Sequence, residues 1–260
     1  MNLASSAAAT RPGSSSIPLP TKALVVGMAR QGAALARFFR QRGARLLLND
    51  RRSLGAMLEL YRAFHGPEIV WVTGGHPAYL AEWPDVIGVS GGVPLALPLL
   101  RAARARGVPI TSDAGWLFAL APSTTVGITG SAGKTTTTTL LGRMVAAAAR
   151  EVAEAPFPTP APRPPARFAR AWIGGNIGNP LLDRVDELRP EDGVVMEVSS
   201  FQLDVAHASP RVAMILNITP NHLDRHGTME AYIAAKARLL AFQGPEDWAI
   251  LGWDDPNAWA

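Results

Sequence analysis

Residues Gly127 to Thr136 read Gly-Ile-Thr-Gly-Ser-Ala-Gly-Lys-Thr-Thr. An apolar run ends, three glycines follow, and a helical pattern opens at Lys134. Glycine lets backbone N–H groups turn toward an anion without a Cβ clash, and a helix N-terminus adds partial positive charge. The turn therefore reads as a phosphate cradle over Gly130, Ser131, Ala132, Gly133, Lys134, Thr135 and Thr136. Lys134 would reach the terminal phosphates and the Thr135 hydroxyl would hold Mg²⁺. The strict G-x-x-x-x-G-K-[ST] spacing requires glycine at 128, where this chain has Ile128.

Acids and imidazoles follow later apolar runs. Glu197 closes the run Val194-Val-Met-Glu, and the stretch from Asn217 to Gly227 packs His222, Asp224, Arg225 and His226 together. In a parallel nucleotide-binding sheet the carboxyl ends of strands face the ligand, so Glu197 and His222 are the expected metal ligands. Imidazole is a softer partner than Mg²⁺ prefers.

The chain has 25 lysines and arginines against 21 acids, a net charge of +4, and only three of those cations are lysine. Lys22, Lys134 and Lys236 thus stand in an arginine-rich background, and a retained lysine suggests a position where guanidinium fails. There is no dense basic block, so nucleic acid is a weak expectation. No apolar run reaches ~18 residues, which excludes a membrane-spanning helix. The absence of cysteine excludes disulfides, thiol catalysis and cysteine-ligated metal.

The elements that must position these residues alternate. Lys22–Gly27, Ala44–Leu48, Ile69–Thr73, Asp85–Val89 and Val108–Ile110 read as strands, with helices over Gln31–Arg42 and Pro94–Arg106. A second series runs from Thr125–Thr129 through a helix at Lys134–Arg150, strands at Val194–Val198 and Val212–Ile218, a helix at Met229–Ala241 and a strand at Trp248–Leu251. Such alternation predicts α/β architecture with parallel sheets covered on both faces. Residues 1–20 read as a disordered tail without a secretory signal, 21–121 as one domain and 122–260 as a second. Residues 151–170 form a low-complexity segment, with six prolines between Pro156 and Pro165, and are expected to be an exposed loop. A cytoplasmic protein is expected.

In the first domain, Gly27-Met-Ala-Arg-Gln-Gly32 would let backbone amides approach a diphosphate, with Ala29 in place of the middle glycine of G-x-G-x-x-G. Asp50 and Arg51 end the second strand. That half alone also fits a nicotinamide oxidoreductase, a reading that leaves Lys134 unexplained.

Together these stretches resemble the Mur ligases, ATP-dependent amide-forming enzymes of peptidoglycan precursor synthesis. Met196-Glu-Val-Ser-Ser-Phe-Gln-Leu-Asp204 and Gly174-Gly-Asn-Ile-Gly-Asn-Pro-Leu-Leu182 are most similar to the branch that adds D-glutamate. The phosphate loop with shifted glycines is that family's form. The resemblance implies a Rossmann-like N-terminal domain holding UDP-N-acetylmuramoyl-L-alanine and a P-loop ATPase-type central domain. It implies phosphorylation of the L-alanine carboxylate by ATP, then displacement of phosphate by the amine of D-glutamate.

In that reading Lys134 stabilises the transferring phosphate, Thr135 and Glu197 hold one Mg²⁺, and His222 holds a second. Lys236 is carbamylated and acts at the metal. Gly27, Ala29, Arg30, Gln31, Asp50, Arg51, Ser90, Asn176 and Ser199 contact the UDP-sugar substrate, although Gly91 replaces a usual proline beside Ser90. A monomer is expected. The family has a third domain that binds D-glutamate. This chain is expected to lack it, as a fragment or a broken reading frame, and not to ligate alone. A non-catalytic nucleotide- or UDP-sugar-binding module and a folate-type ligase are the alternatives; Phe201-Gln202-Leu203 argues against the latter.

Overall fold

The computed structural model describes residues 18–153 and 168–259. Most of the expected tail and all of the stretch 156–165 lie outside these residues. The first sheet comprises β1 (Lys22–Val26), β2 (Arg45–Asp50), β3 (Ile69–Thr73), β4 (Val86–Val89) and β5 (Ile110–Thr111). All pairs are parallel, in the order β3-β2-β1-β4-β5. Its helices are α1 (Arg30–Gln41), α2 (Leu58–Ala63), α3 (Pro98–Ala105) and α4 (Asp113–Leu120). β1 and β2 are buried along nearly their whole length, which is why they read as unbroken apolar runs. The strand order reverses between β1 and β4, and an open α/β sheet forms its ligand crevice at such a point.

The second sheet comprises β6 (Thr124–Thr129), β7 (Ala171–Gly175), β8 (Gly193–Glu197), β9 (Val212–Ile215) and β10 (Trp248–Leu251), ordered β10-β9-β6-β8-β7 and again parallel. Its helices are α5 (Lys134–Ala153), α6 (Ser200–Leu203), α7 (Leu223–His226), α8 (Met229–Ala237) and α9 (Pro256–Trp259). β6 is central, so the glycine turn that follows it sits at the middle of the sheet edge.

Several boundaries move. The helix expected from Pro94 starts at Pro98, because residues 94–97 form a turn closed by Leu97 N–H on Pro94 O; Pro98 then occupies the first helical position, where a missing N–H costs nothing. The strand expected to reach Ile218 stops at Ile215, and the Ile218 N–H donates instead to Asp255. The helix expected to reach Ala241 ends at Ala237. That expected to end at Arg150 runs to Ala153.

Six elements were not expected: the helices α2, α4, α6, α7 and α9 and the strand β7. In α4 the residues from Asp113 to Phe118 are all buried, so no amphipathic period marks it. Trp116 of α4 packs against Phe38 and Phe39 of α1 at 5.3 and 5.8 Å and against His207 at 5.3 Å. One apolar cluster therefore runs from Val25, Phe38 and Trp116 of the first half into Leu182, Met196 and Ile215 of the second. β7 hides in a short sequence ending in two glycines. Arg37–Asp183 (2.6 Å) and Arg42–Asp186 (2.8 Å) also bridge the halves. Such surface pairs contribute at most ~1 kcal/mol each, so the buried cluster dominates.

Candidate functional site

The glycine turn leaves β6 after Thr129 and enters α5 at Lys134, with Gly133 at φ +80°, where a side chain would be strained. Thr137 N–H bonds Gly133 O, so the N–H groups of 133–136 precede the first helical bond and point out of the helix end. Asn217, just past β9, accepts from the Ser131 and Ala132 amides at 3.1 and 2.9 Å. Ser131 Oγ donates to Thr219 O. The loop after β9 thus fixes one side of the turn. An anion would use the 133–136 amides or displace the Asn217 carbonyl. Lys134 Nζ lies folded back on Gly130 O (2.9 Å) and Ser131 O (3.2 Å).

Glu197 ends β8, whose register sets it beside Ile128 of β6. Although buried, its carboxylate accepts from Thr135 Oγ1 at 2.8 Å and from Asn176 Nδ2 at 2.7 Å. The Asn176 N–H donates to Glu197 O at 2.9 Å. Three residues expected at the site, from three elements, thus meet. A carboxylate next to a hydroxyl is an oxygen donor set suited to a hard cation. Among the described residues no three His, Cys, Asp or Glu side chains cluster closely enough to hold a metal unaided. A cation here would therefore take further oxygens from the nucleotide.

Lys236, on α8, is 1% exposed. Its Nζ donates to Gly130 O at 3.0 Å and sits 4.5 Å from the Tyr232 ring centroid. Burial, with a smaller push from Lys134, lowers its pKa to about 7. His222 precedes α7 at φ +53° and packs against Phe201 (5.2 Å) and Tyr232 (6.4 Å). It reaches the Lys236 end of the cradle through Tyr232. Glu197 takes its contacts from Thr135 and Asn176 instead. His226 stacks on Phe201 and meets Ser200 Oγ at 3.0 Å.

At the first sheet, Gly32 lies where a Cβ would be 1.8 Å from Gly27 O, so the β1–α1 turn requires a glycine there. Met28 N–H donates to Asp50 Oδ2 at 2.8 Å. Arg52, which sequence reasoning did not single out, pairs with Asp50 at 2.8 Å. Burial raises the Asp50 pKa, but the Arg52 side chain and the Arg52 and Met28 amides outweigh it and bring it to about 2. Gly27, Ala29, Asp50, Arg51 and Ser90 line one cleft of about 370 Å³.

Gln31 accepts from Gly91 N–H at 3.0 Å, tying α1 to the loop after β4. Arg30 crosses to Gly178 O at 2.8 Å. A Cβ on Gly91 would lie 3.8 Å from Ser199 Oγ, so Ser199 faces that loop from the other half. Ser199 N–H and Oγ–H donate to Gln202 Oε1, and Gln202 Nε2 donates to the buried Asp113 at 2.9 Å.

Sequence reasoning missed Asn217, Tyr232, Arg52, Gln202, Asp113 and His76. Gln202 alone left a local signal: Ser199-x-x-Gln202 is a capping box, and the structure forms it.

Two family models match this architecture. Residues 128–260 match the Mur ligase middle domain, and residues 21–112 match the N-terminal domain of MurD-like Mur ligases. The chain belongs to the Mur ligase family. Among curated proteins it is 39% identical over 242 residues to the UDP-N-acetylmuramoylalanine--D-glutamate ligase of Symbiobacterium thermophilum, covering 93% of this chain and 49% of that protein. It is 41% identical over 242 residues to the enzyme of the same name from Pelotomaculum thermopropionicum, covering 91% and 48%. The chain spans about half the length of these relatives. Among solved structures, a UDP-N-acetylmuramate:L-alanyl-gamma-D-glutamyl-meso-diaminopimelate ligase from Neisseria meningitides aligns at a TM-score of 0.53 and 21% identity, over 91% of this chain and 72% of that one, a likeness of fold.

Proposed function

We propose that this chain carries the UDP-sugar and ATP sites of an enzyme that joins D-glutamate to UDP-N-acetylmuramoyl-L-alanine in peptidoglycan precursor synthesis. The relatives of that name support the substrate assignment. The observation that carries the chemistry is the convergence of Lys134, Thr135, Glu197 and Lys236 on the turn after β6.

Residues 21–121 would hold the UDP group at the cleft beside α1, and 122–260 would hold ATP. The helix-end amides and Lys134 would bind the phosphates. The substrate carboxylate would attack the γ-phosphorus with loss of ADP; the amine of D-glutamate would then attack the acyl carbon, releasing phosphate and a proton. This chain's part is positioning and charge neutralisation, the main sources of catalysis in phosphoryl transfer. Mg²⁺, held by Thr135 and Glu197, would screen the phosphate charge, with His222 and a carbamate on Lys236 serving a second ion. Asn176 and Ser199 would touch the muramoyl part. No helix of the described residues is long and apolar enough to cross a membrane; that the enzyme is cytoplasmic and monomeric is part of this proposal.

A second reading, favoured by the span of about half its relatives' length, is that these 260 residues alone bind both nucleotides without forming the amide. Phosphate release by the relative-length protein, tested across candidate amino acids, decides the first reading. The expected result is release dependent on D-glutamate together with the UDP-sugar. Amide formation by the 260 residues alone would overturn the second.

A further inference from the structure

His76 stands in the cleft that the sequence motifs left half explained. It lines the same walls as Gly27, Asp50 and Arg51, three residues beyond the end of β3. Its chemistry is fixed by the residue behind it. Asn49, fully buried at the penultimate position of β2, donates both hydrogens of its amide, to Val72 O and to Gly75 O, each at 2.8 Å. That leaves Asn49 Oδ1 as an acceptor, and it lies 2.6 Å from His76 Nδ1. The proton must therefore sit on Nδ1, and Nε2 carries the lone pair. Burial lowers the pKa of this imidazole, with Asp50 opposing that shift and Arg51 adding to it, which favours the neutral ring.

The topology says what the lone pair meets. In a doubly wound sheet the diphosphate lies on the first helix N-terminus, the ribose at the end of the second strand, and the base beyond it. Here those places are the start of α1, Asp50 at the end of β2, and His76 after β3. The cleft's ~370 Å³ is enough for a nucleoside. We propose that His76 reads the base of the uridine diphosphate group, its Nε2 accepting the ring N3–H that uracil carries and cytosine lacks. The inference rests on the UDP-sugar reading above and deepens it. A site built to pair with a donor rejects the analogue without one, because the acceptor is then left unpaired.

The experiment measures binding of UDP, CDP and N3-methyl-UDP to the chain at pH 7.5. The wild type is expected to bind UDP at least about tenfold tighter than either analogue. His76→Phe is expected to bring UDP down to the level of CDP and to leave CDP within about twofold. Because that variant also removes the Asn49 contact, the ¹⁵N resonance of His76 Nε2 is followed in the wild type; it should shift with UDP and stay fixed with CDP. Failure of the wild type to bind UDP at all would sink the UDP-sugar reading. Binding of UDP with no preference over N3-methyl-UDP, or an unchanged preference in His76→Phe, would sink the role of His76 alone.

Discussion

Lys236 and Lys134 donate to one backbone oxygen: their Nζ atoms lie 3.0 and 2.9 Å from Gly130 O. One cation comes from the helix after the glycine turn and the other from a helix about a hundred residues away. Lys236 is the buried member, and its pKa of about 7 leaves a substantial neutral fraction in the physiological range.

A neutral amine can capture CO₂; an ammonium cannot. The chain in ¹³C-bicarbonate at pH 8 should show a carbamate carbon resonance, and Lys236→Arg should abolish it. Persistence of that signal in Lys236→Arg would assign it elsewhere, and its absence from the wild type would remove the carbamate.

The same residue sets a slope of stability with pH. Its folded pKa lies below the ordinary 10.5, so between pH 7 and pH 10.5 the unfolded chain binds a proton that the folded chain does not. Stability from this group should rise with pH across that window and be flat below about 7. Urea unfolding in CO₂-free buffer at pH 7.5 and 9 should show the rise in the wild type and a smaller one in Lys236→Met. Equal slopes would contradict the lowered pKa of the buried amine.

Asp50 gives a slope of the same sign in a lower window. Its folded pKa of about 2 lies below the ordinary 3.8, so its contribution is present above pH 3.8 and fades as pH falls toward 2. The shift corresponds to about 2 kcal/mol. Asp50→Asn should lose roughly this amount at pH 7 and show less dependence on pH between 4 and 2. It should also weaken UDP binding, since the Met28 amide loses its carboxylate anchor.

Gly32→Ala tests the β1–α1 turn. Its Cβ would overlap Gly27 O, a backbone atom that cannot swing aside. We expect a loss of ~3 kcal/mol or more, or no folded protein, whereas alanine at the solvent-open Gly55 should be mild. Thermal melts of the two variants side by side decide it.

At the other sheet, Lys134→Ala should weaken ATP binding at least about tenfold, or ~1.4 kcal/mol, with an unchanged far-ultraviolet spectrum. Thr135→Ala should lower Mg²⁺-dependent binding more than Mg²⁺-free binding, because the hydroxyl beside Glu197 is removed. Equal losses in both conditions would take Thr135 out of the metal site.

Much of this architecture was legible because buried parallel strands are apolar runs and the glycine turn has local spacing. The helix bearing Trp116 was not, since a segment buried on all sides carries no period. Asp50 was legible, but its partner was not: Arg51 and Arg52 are equivalent in sequence, and only the turn geometry selects Arg52. The capping partner Gln202 was within reach of pattern reading. Its tie to Asp113, 89 positions away, depends on how the two halves pack. His76 carries no motif, and its meaning comes from the amide orientation of Asn49.

The apolar cluster that passes from Phe38 through Trp116 to Met196 makes the two sheets dependent on one another. Dividing the chain near residue 121 would strip the shared face from both pieces. Each would then present an oily surface to solvent and tend to aggregate. Intact, the pair should melt in a single step, and a ligand seated on either sheet should raise the melting temperature of both.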